Sequence, residues 1–341
     1  MHCPRDRGPL SAMVRLALRG AEELDLARFT GLADDVPAER LVTDADLQLA
    51  LWTLYEPHYG GFDDVAGDRE WDPRLLAARA VLERRFETEL RRRTADTVAA
   101  GLAAEGPLGE RVFDVVAADD GPKVAAFLHR HATREQIVGF LRERTVFHLK
   151  ESDPQAFVLP RLQGAPKAAL AELLYDEFGG GRPARLHASM FAEGVAAAGL
   201  DPRYGAYDDE VSATTLAVNN AMSLLCLHRR LRAAAMGHLA AFEATSSVPS
   251  RKIAAGIRRV GLPEPVAAYF DEHVEADAVH EQLAARTICG GLVEQDPGLE
   301  EDVLFGVAVC LHLDAVAGAE LLDRWQQGPA VAADGPERVA S

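Results

Sequence analysis

Cysteine is scarce and scattered in this chain. Cys3, Cys226, Cys289 and Cys310 are the only four in 341 residues, and none forms a C-x-x-C pair. That excludes a disulfide framework and leaves reduced, mostly buried thiols. Aromatic residues reach only 6%, and β-branched runs are nearly absent. No stretch alternates apolar and polar residues between turns, so the chain is predicted to be all-α. No window holds the roughly 18 unbroken apolar residues of a membrane span. No apolar segment of signal-peptide type follows the start, Met1-His2-Cys3-Pro4-Arg5-Asp6-Arg7. Basic charge is also short: 36 Lys and Arg against 53 Asp and Glu give a net charge of −17, which disfavours a nucleic-acid backbone as partner. These absences together predict a cytoplasmic protein with neither nucleic acid nor membrane as partner.

What remains is ordinary globular composition, 48% hydrophobic and 26% charged, enough for a sizeable core. At about 150 residues per domain, the length allows two domains or one large one. Apolar periodicity and turn residues predict helices over 11–29, 44–56, 73–101, 123–131, 133–150, 155–177, 183–199, 209–245, 250–261, 264–290 and 298–327. Gly106-Pro107 and Gly121-Pro122 break the stretch between the third and fourth. A boundary there divides an N-terminal helical extension, 1–115, from a helical bundle, 116–328, with a flexible tail over 329–341. The extension is expected to pack on the bundle or to form the contact of a homodimer.

The most informative stretch is His273-Val274-Glu275-Ala276-Asp277-Ala278-Val279-His280. It sits in a run free of Gly and Pro. On a helix His273 and Asp277 are i and i+4, and Asp277 and His280 are i and i+3, so all three share one stripe. Two imidazoles and a carboxylate so placed suit a first-row transition metal. The plainer reading is a solvated acidic face, since Asp271, Glu272, Glu275 and Glu281 are neighbours.

Partners for such a stripe must come from other helices. Glu243 closes an otherwise apolar stretch, where a charge needs a reason; it is either a ligand or an exposed carboxylate before Pro249. Glu177 and His187 flank Gly179-Gly180-Gly181. They either mark a helix end and the next start, with Pro183 at its first position, or also turn toward one metal. Glu151 lies in a cluster before Pro154, and spacing alone does not favour it over His148. His238 lies off the face of Glu243 and reads as structural. Glu56 and His58, separated by Pro57, read as structural as well.

Glu177, His187, Glu243, His273, Asp277 and His280 together resemble the ligand pattern of the haem-oxygenase-like diiron oxidases. In that family one helix gives a Glu and a His, another a single Glu, and a last helix H-x3-D-x2-H. The E-x9-H spacing of Glu177 and His187 is most similar to the N-oxygenase branch that serves streptozotocin biosynthesis. There a further carboxylate joins the site when oxygen binds, and Glu151 falls where it is expected. The phrases Lys150-Glu151-x-Asp153-Pro154, Asp176-Glu177-Phe178-Gly179-Gly180-Gly181-Arg182 and Gly205-Ala206-Tyr207 look like the bacterial iron-containing redox enzymes. The resemblance covers roughly 45–325. One departure is Gln155, where a His is expected after Asp-Pro; it reads as a residue behind the ligands or against substrate.

The resemblance implies a haem-oxygenase-like bundle and two Fe(II)/Fe(III) ions. Six shared ligands would hold them, with Glu243 bridging or shared and Glu151 as a mobile catalytic carboxylate. O2 is the implied co-substrate, and an external electron donor and a small-molecule substrate are the implied partners. The activity implied is N-oxygenation of an amine or guanidine in a small amino-acid-like substrate. Oxidative C–C cleavage or desaturation of an amino or fatty acid is the alternative, and a non-catalytic iron-binding protein a further one. Arg182, Arg185 and Lys150, beside ligands, are either grips for a substrate carboxylate or ordinary surface charges.

Overall fold

Proline, glycine and short polar caps divide the chain, and helix fills most of what lies between. The computed structural model describes residues 1–327 and contains no strand among them, so the all-α expectation holds. The expected flexible tail, 329–341, lies outside the described residues. The chain opens with α1 (Pro9–Leu18), α2 (Leu26–Asp34) and α3 (Ala45–Tyr55). Asp25 and Asp44 cap the latter two by accepting from the N–H groups of Arg28 and Leu47. Asp72 caps the long α4 (Pro73–Ala103), with Pro73 in its first turn. A short α5 (Leu108–Ala117) and α6 (Val124–Arg130) follow. α7 (Arg134–His148) starts from a capping box of Thr133 and Gln136.

Beyond these come α8 (Asp153–Ala156), α9 (Gly164–Glu177), α10 (His187–Ala197), α11 (Ala213–Leu227), α12 (Arg232–Ala244), α13 (Ser247–Arg259) and α14 (Glu264–Gln282). α14 continues into a π-helical segment, Leu283–Gly290, before α15 (Gly291–Gln295) and α16 (Glu300–Gln326).

Three expected helices are split. The one expected over 155–177 becomes α8, a single turn at Leu159–Arg161 and α9, which opens at Gly164 with φ 58°. Gly20, at φ 68°, separates α1 from the turn before α2. The single helix expected over 209–245 breaks at His228, which is extended at φ −101° and ψ 117°. Tertiary contacts override local propensity there. His228 Nε2 lies 3.0 Å from Glu83, and Arg230 Nη1 donates to Glu87 at 2.8 Å, so polar residues of this break face acids of α4. Arg161 Nη2 donates to the carbonyl of Leu227 at 2.9 Å, satisfying a helix-end acceptor.

α12 lies against α16 at unusually close range. A Cβ on Gly237 would stand 1.9 Å from the carbonyl oxygen of Val303, and one on Gly306 would stand 1.9 Å from that of Ala234. α13 packs on α14 and α6, and α10 on α14. One apolar cluster joins α1, α3, α4, α11, α12 and α16, and a second joins α6, α7, α10, α13 and α14. The segment Pro297–Gln326 is long and apolar enough to cross a bilayer, and 61% of its apolar window is buried in the bundle. His238 sits in the α12–α16 contact, 3% exposed, and burial pushes its pKa down to about 4. It is a neutral packing residue there.

The glycine contact makes a direct prediction. Gly306→Ala should destabilise the fold by about 1–3 kcal/mol, because neither backbone can yield without moving a whole helix. A shifted urea midpoint is the expected readout, and a midpoint equal to wild type would contradict the packing.

Candidate metal centre

Four helix ends and the middle of α14 converge on one buried cluster. α14 places His273, Asp277 and His280 on its inner face, at 6%, 1% and 1% exposure. Asp271, Glu272, Glu275 and Glu281 keep to partly or fully exposed positions on the same helix. The stripe and the acidic face therefore coexist, one on each side, as a 3.6-residue period allows. Glu177 closes α9 and His187 opens α10. Gly179, Gly180 and Gly181 all carry positive φ, 74°, 60° and 76°, and allow the sharp reversal between the two. At Gly179 a Cβ would also meet the backbone carbon of Arg185 at 2.5 Å. Glu243 ends α12, and Glu151 follows α7 in a turn held by Ser152 at φ 69°, the only non-glycine with positive φ among the described residues.

The donor atoms meet in two groups. In the first, one ligand atom from each of Glu151, Glu177, His187 and His273 lies within 4.8 Å of the others. In the second the same holds for Glu177, Glu243 and His280. Glu177 belongs to both: its Oε2 lies 3.1 Å from His187 Nδ1 and its Oε1 3.3 Å from His280 Nδ1. Glu243 Oε2 is 3.7 Å from His280 Nδ1, and Glu151 Oε1 is 3.5 Å from His273 Nε2. Asp277 stands in neither group, with Oδ1 4.0 Å from His280 Nδ1.

Outer contacts aim the imidazoles. His273 Nδ1 donates to the carbonyl of Tyr269 at 2.8 Å, leaving Nε2 facing the cluster. His280 Nε2 points to Asp176 at 3.4 Å, leaving Nδ1 inward. A second ring nitrogen tied to a carbonyl or carboxylate is how metal-ligating histidines are oriented. The inward atoms His187 Nδ1, His273 Nε2, His280 Nδ1 and Asp277 Oδ2 are buried and have no hydrogen-bond partner. Buried polar atoms are rarely left so, and an array of them pointing into one carboxylate-rich space fits a metal ion.

The site's protons follow from its geometry. Burial opposes the His273 and His280 imidazolium forms. Surrounding carboxylates win, with Glu151 foremost at His273 and Glu177 and Glu243 at His280. They push the two pKa values up to about 10 and about 11. Burial, then Glu243, raises Asp277 to about 9. Glu177 goes the other way: burial favours its neutral acid, yet the imidazoles of His187 and His280 beside it hold it at about 2. Burial likewise favours neutral Glu151, but His148 and His273 keep it well below the usual carboxylate range.

Behind the cluster stand Tyr269 and Ser152, which the sequence does not single out, and His148, which it offers only as a rival to Glu151. Tyr269 donates its hydroxyl to Glu151 Oε2 at 2.7 Å, and His148 Nδ1 lies 2.6 Å from that hydroxyl and 3.1 Å from Glu151 Oε1. Ser152 donates to Glu177 Oε2 at 2.9 Å. Tyr269 sits one turn before His273, a spacing visible in the sequence; the partnership with Glu151, 118 positions away, is not. Gln155 is buried, 4% exposed, with Oε1 unpartnered. Of the candidate carboxylate grips, Lys150 is buried against Glu56 and Arg185 Nη2 pairs with Glu272 at 2.6 Å, so both are engaged; Arg182 is exposed. His58 pairs with Glu70 at 3.1 Å, which fits its structural reading.

Metal entry must expel the protons held at His273, His280 and Asp277. Raised pKa values keep those protons bound at neutral pH, so apparent affinity should climb as pH rises from 6 to 9. The expected slope is about one logarithmic unit per pH unit for each proton displaced. Titrating metal in buffers of different ionisation enthalpy measures the protons released; affinity independent of pH would contradict the arrangement.

Comparison with known proteins adds the following. A profile of the iron-containing redox enzymes matches residues 138–315, more than half of the chain. No curated protein matches. Among solved structures, a CADD-like protein of unknown function from Nostoc punctiforme is similar, at 16% identity and a TM-score of 0.51. The match covers 63% of this chain and 96% of that one. At that identity the likeness speaks for the helical fold.

Proposed function

The chain belongs to the family of iron-containing redox enzymes, and on that premise we propose that it is a non-haem oxygenase working with two irons and O2. The observation that carries the reading is Glu177, whose two oxygens serve two donor groups, one with His187, His273 and Glu151 and one with His280 and Glu243. A carboxylate between two such groups is how helical bundles hold metal pairs. Bound ferrous iron supplies the electrons that reduce dioxygen, and an external donor restores them.

The chain's own groups do the rest. Tyr269 and the carboxylate of Asp176 hold the histidines in fixed tautomers. Glu151 stays ionised between His148 and Tyr269 and would be the carboxylate that exchanges these partners for a bound metal. Full burial of Glu177, Glu243, Asp277 and His280 keeps bulk water from the donors. N-oxygenation of an amine or guanidine in a small amino-acid-like substrate is supported by the E-x9-H spacing and by Glu151.

A specific observation favours the second reading, C–C cleavage or desaturation of an amino or fatty acid. A cavity between α7, α11, α12 and α16 is lined by Phe140, Phe147, Met222 and Phe242, with Arg144 and Arg324 at its polar side beside their acidic partners Asp314 and Glu143. Phe147 and Phe242 meet edge to face, with centroids 5.3 Å apart, and directly precede His148 and Glu243. An aliphatic chain suits the apolar part of such walls.

Anaerobic Fe(II) loading should give about two irons per chain, falling sharply in His273→Ala and Asp277→Ala. Full retention in both variants would sink the site. Product analysis with reductant and O2, offering guanidino acids beside fatty acids, separates the two reactions; turnover of the fatty acids alone would overturn N-oxygenation.

A further inference from the structure

Lys150 and Glu151 are consecutive, yet their side chains enter different surroundings. Glu151 meets His148, Tyr269 and His273. Lys150 reaches back to the N-terminal helices. There its ammonium pairs with Glu56, and it lies 4.3 Å from the Tyr59 ring centroid, 5.5 Å from that of Tyr204 and 5.9 Å from that of Trp52. Lysine normally keeps its head in water; here Lys150 is 6% exposed and Glu56 0%. The receiving pocket is itself fixed. The Glu56 carbonyl accepts from the N–H groups of Tyr59 at 2.9 Å and Gly61 at 3.1 Å, and the Tyr59 hydroxyl donates to Ser223 of α11 at 3.0 Å.

The backbone between this pocket and the metal cluster is short and taut. Lys150 N–H donates to Phe147 O at 2.8 Å, and Asp153 N–H to Lys150 O at 3.2 Å. Ser152 takes its left-handed conformation within that turn. Such a conformation at a non-glycine persists only where neighbours over-determine it. Lys150 holds one side of the turn, and the Ser152–Glu177 hydrogen bond holds the other.

We propose that Glu56 and Lys150 are positioning residues: the N-terminal helices pin the 148–153 turn through this buried pair and so set where the Glu151 carboxylate stands. The inference rests on the reading that Glu151 serves the metal site. It gives the N-terminal third of the chain a part in the metal chemistry beyond covering the bundle.

Cobalt(II) titration of the full chain under anaerobic conditions, followed by visible absorption, tests it. The variants are Lys150→Met, Glu56→Gln, Glu151→Ala and Lys150→Met with Glu151→Ala. Lys150→Met and Glu56→Gln should change the cobalt spectrum and weaken binding tenfold to a hundredfold, the usual range for an outer contact of a metal site. With Glu151→Ala already present, Lys150→Met should add no spectral change, because its effect passes through that carboxylate. Should Lys150→Met not fold, the near-isosteric Glu56→Gln carries the same comparison in both backgrounds. Lowered melting temperatures with wild-type cobalt spectra and affinities would overturn the proposal, as would an equal spectral change with and without Glu151. If Glu151→Ala alone leaves the spectrum untouched, the placement of Glu151 at the metal falls, and this inference with it.

Discussion

Taking Glu151, Glu177, Glu243 and Asp277 out of water beside His187, His273 and His280 carries a desolvation cost that this bundle has to offset. Without metal, the offset comes from shared protons. His273 and His280 stay protonated to high pH, Asp277 holds its proton to about 9, and Glu177 ionises at about 2. That is a partial solution, because His187 Nδ1, Asp277 Oδ2 and the inward nitrogens of His273 and His280 still lack partners. Divalent ions would replace those protons with a denser positive charge and satisfy the same atoms.

Donors must be held where they are wanted before the ion arrives, so each is placed by something rigid. Glu243 rides on α12, which Gly237 and Gly306 lock against α16 by backbone contact. His187 is brought to Glu177 by three consecutive positive-φ glycines. Glu151 stands on a turn whose two sides are held by Ser152 and by Lys150. Strain and buried charge gather at the same place, as they do where a site is pre-organised.

Much of this was legible in the sequence. The H-x3-D-x2-H stripe follows from helical period alone, and the structure buries those three residues while leaving Glu275 and Glu281 outside. The glycine run marked a place no regular helix could occupy, and Gly179 is needed there for both its φ and its lack of a Cβ. The rest was hidden for a physical reason: it depends on contacts between distant positions. Nothing local in residues 209–245 shows that His228 leaves the helix to meet Glu83. The link from Tyr269 to Glu151 and that from Lys150 to Glu56 span 118 and 94 positions, beyond the reach of any periodicity.

On the proposed reading, Glu177 stands between two irons. Anomalous diffraction at the iron edge, on crystals loaded with Fe(II) without oxygen, tests it most directly. Two peaks are predicted, one on each side of the Glu177 carboxylate, the first beside His187 and His273 and the second beside His280 and Glu243. A single peak touching only one of those groups, or peaks remote from Glu177, would contradict it.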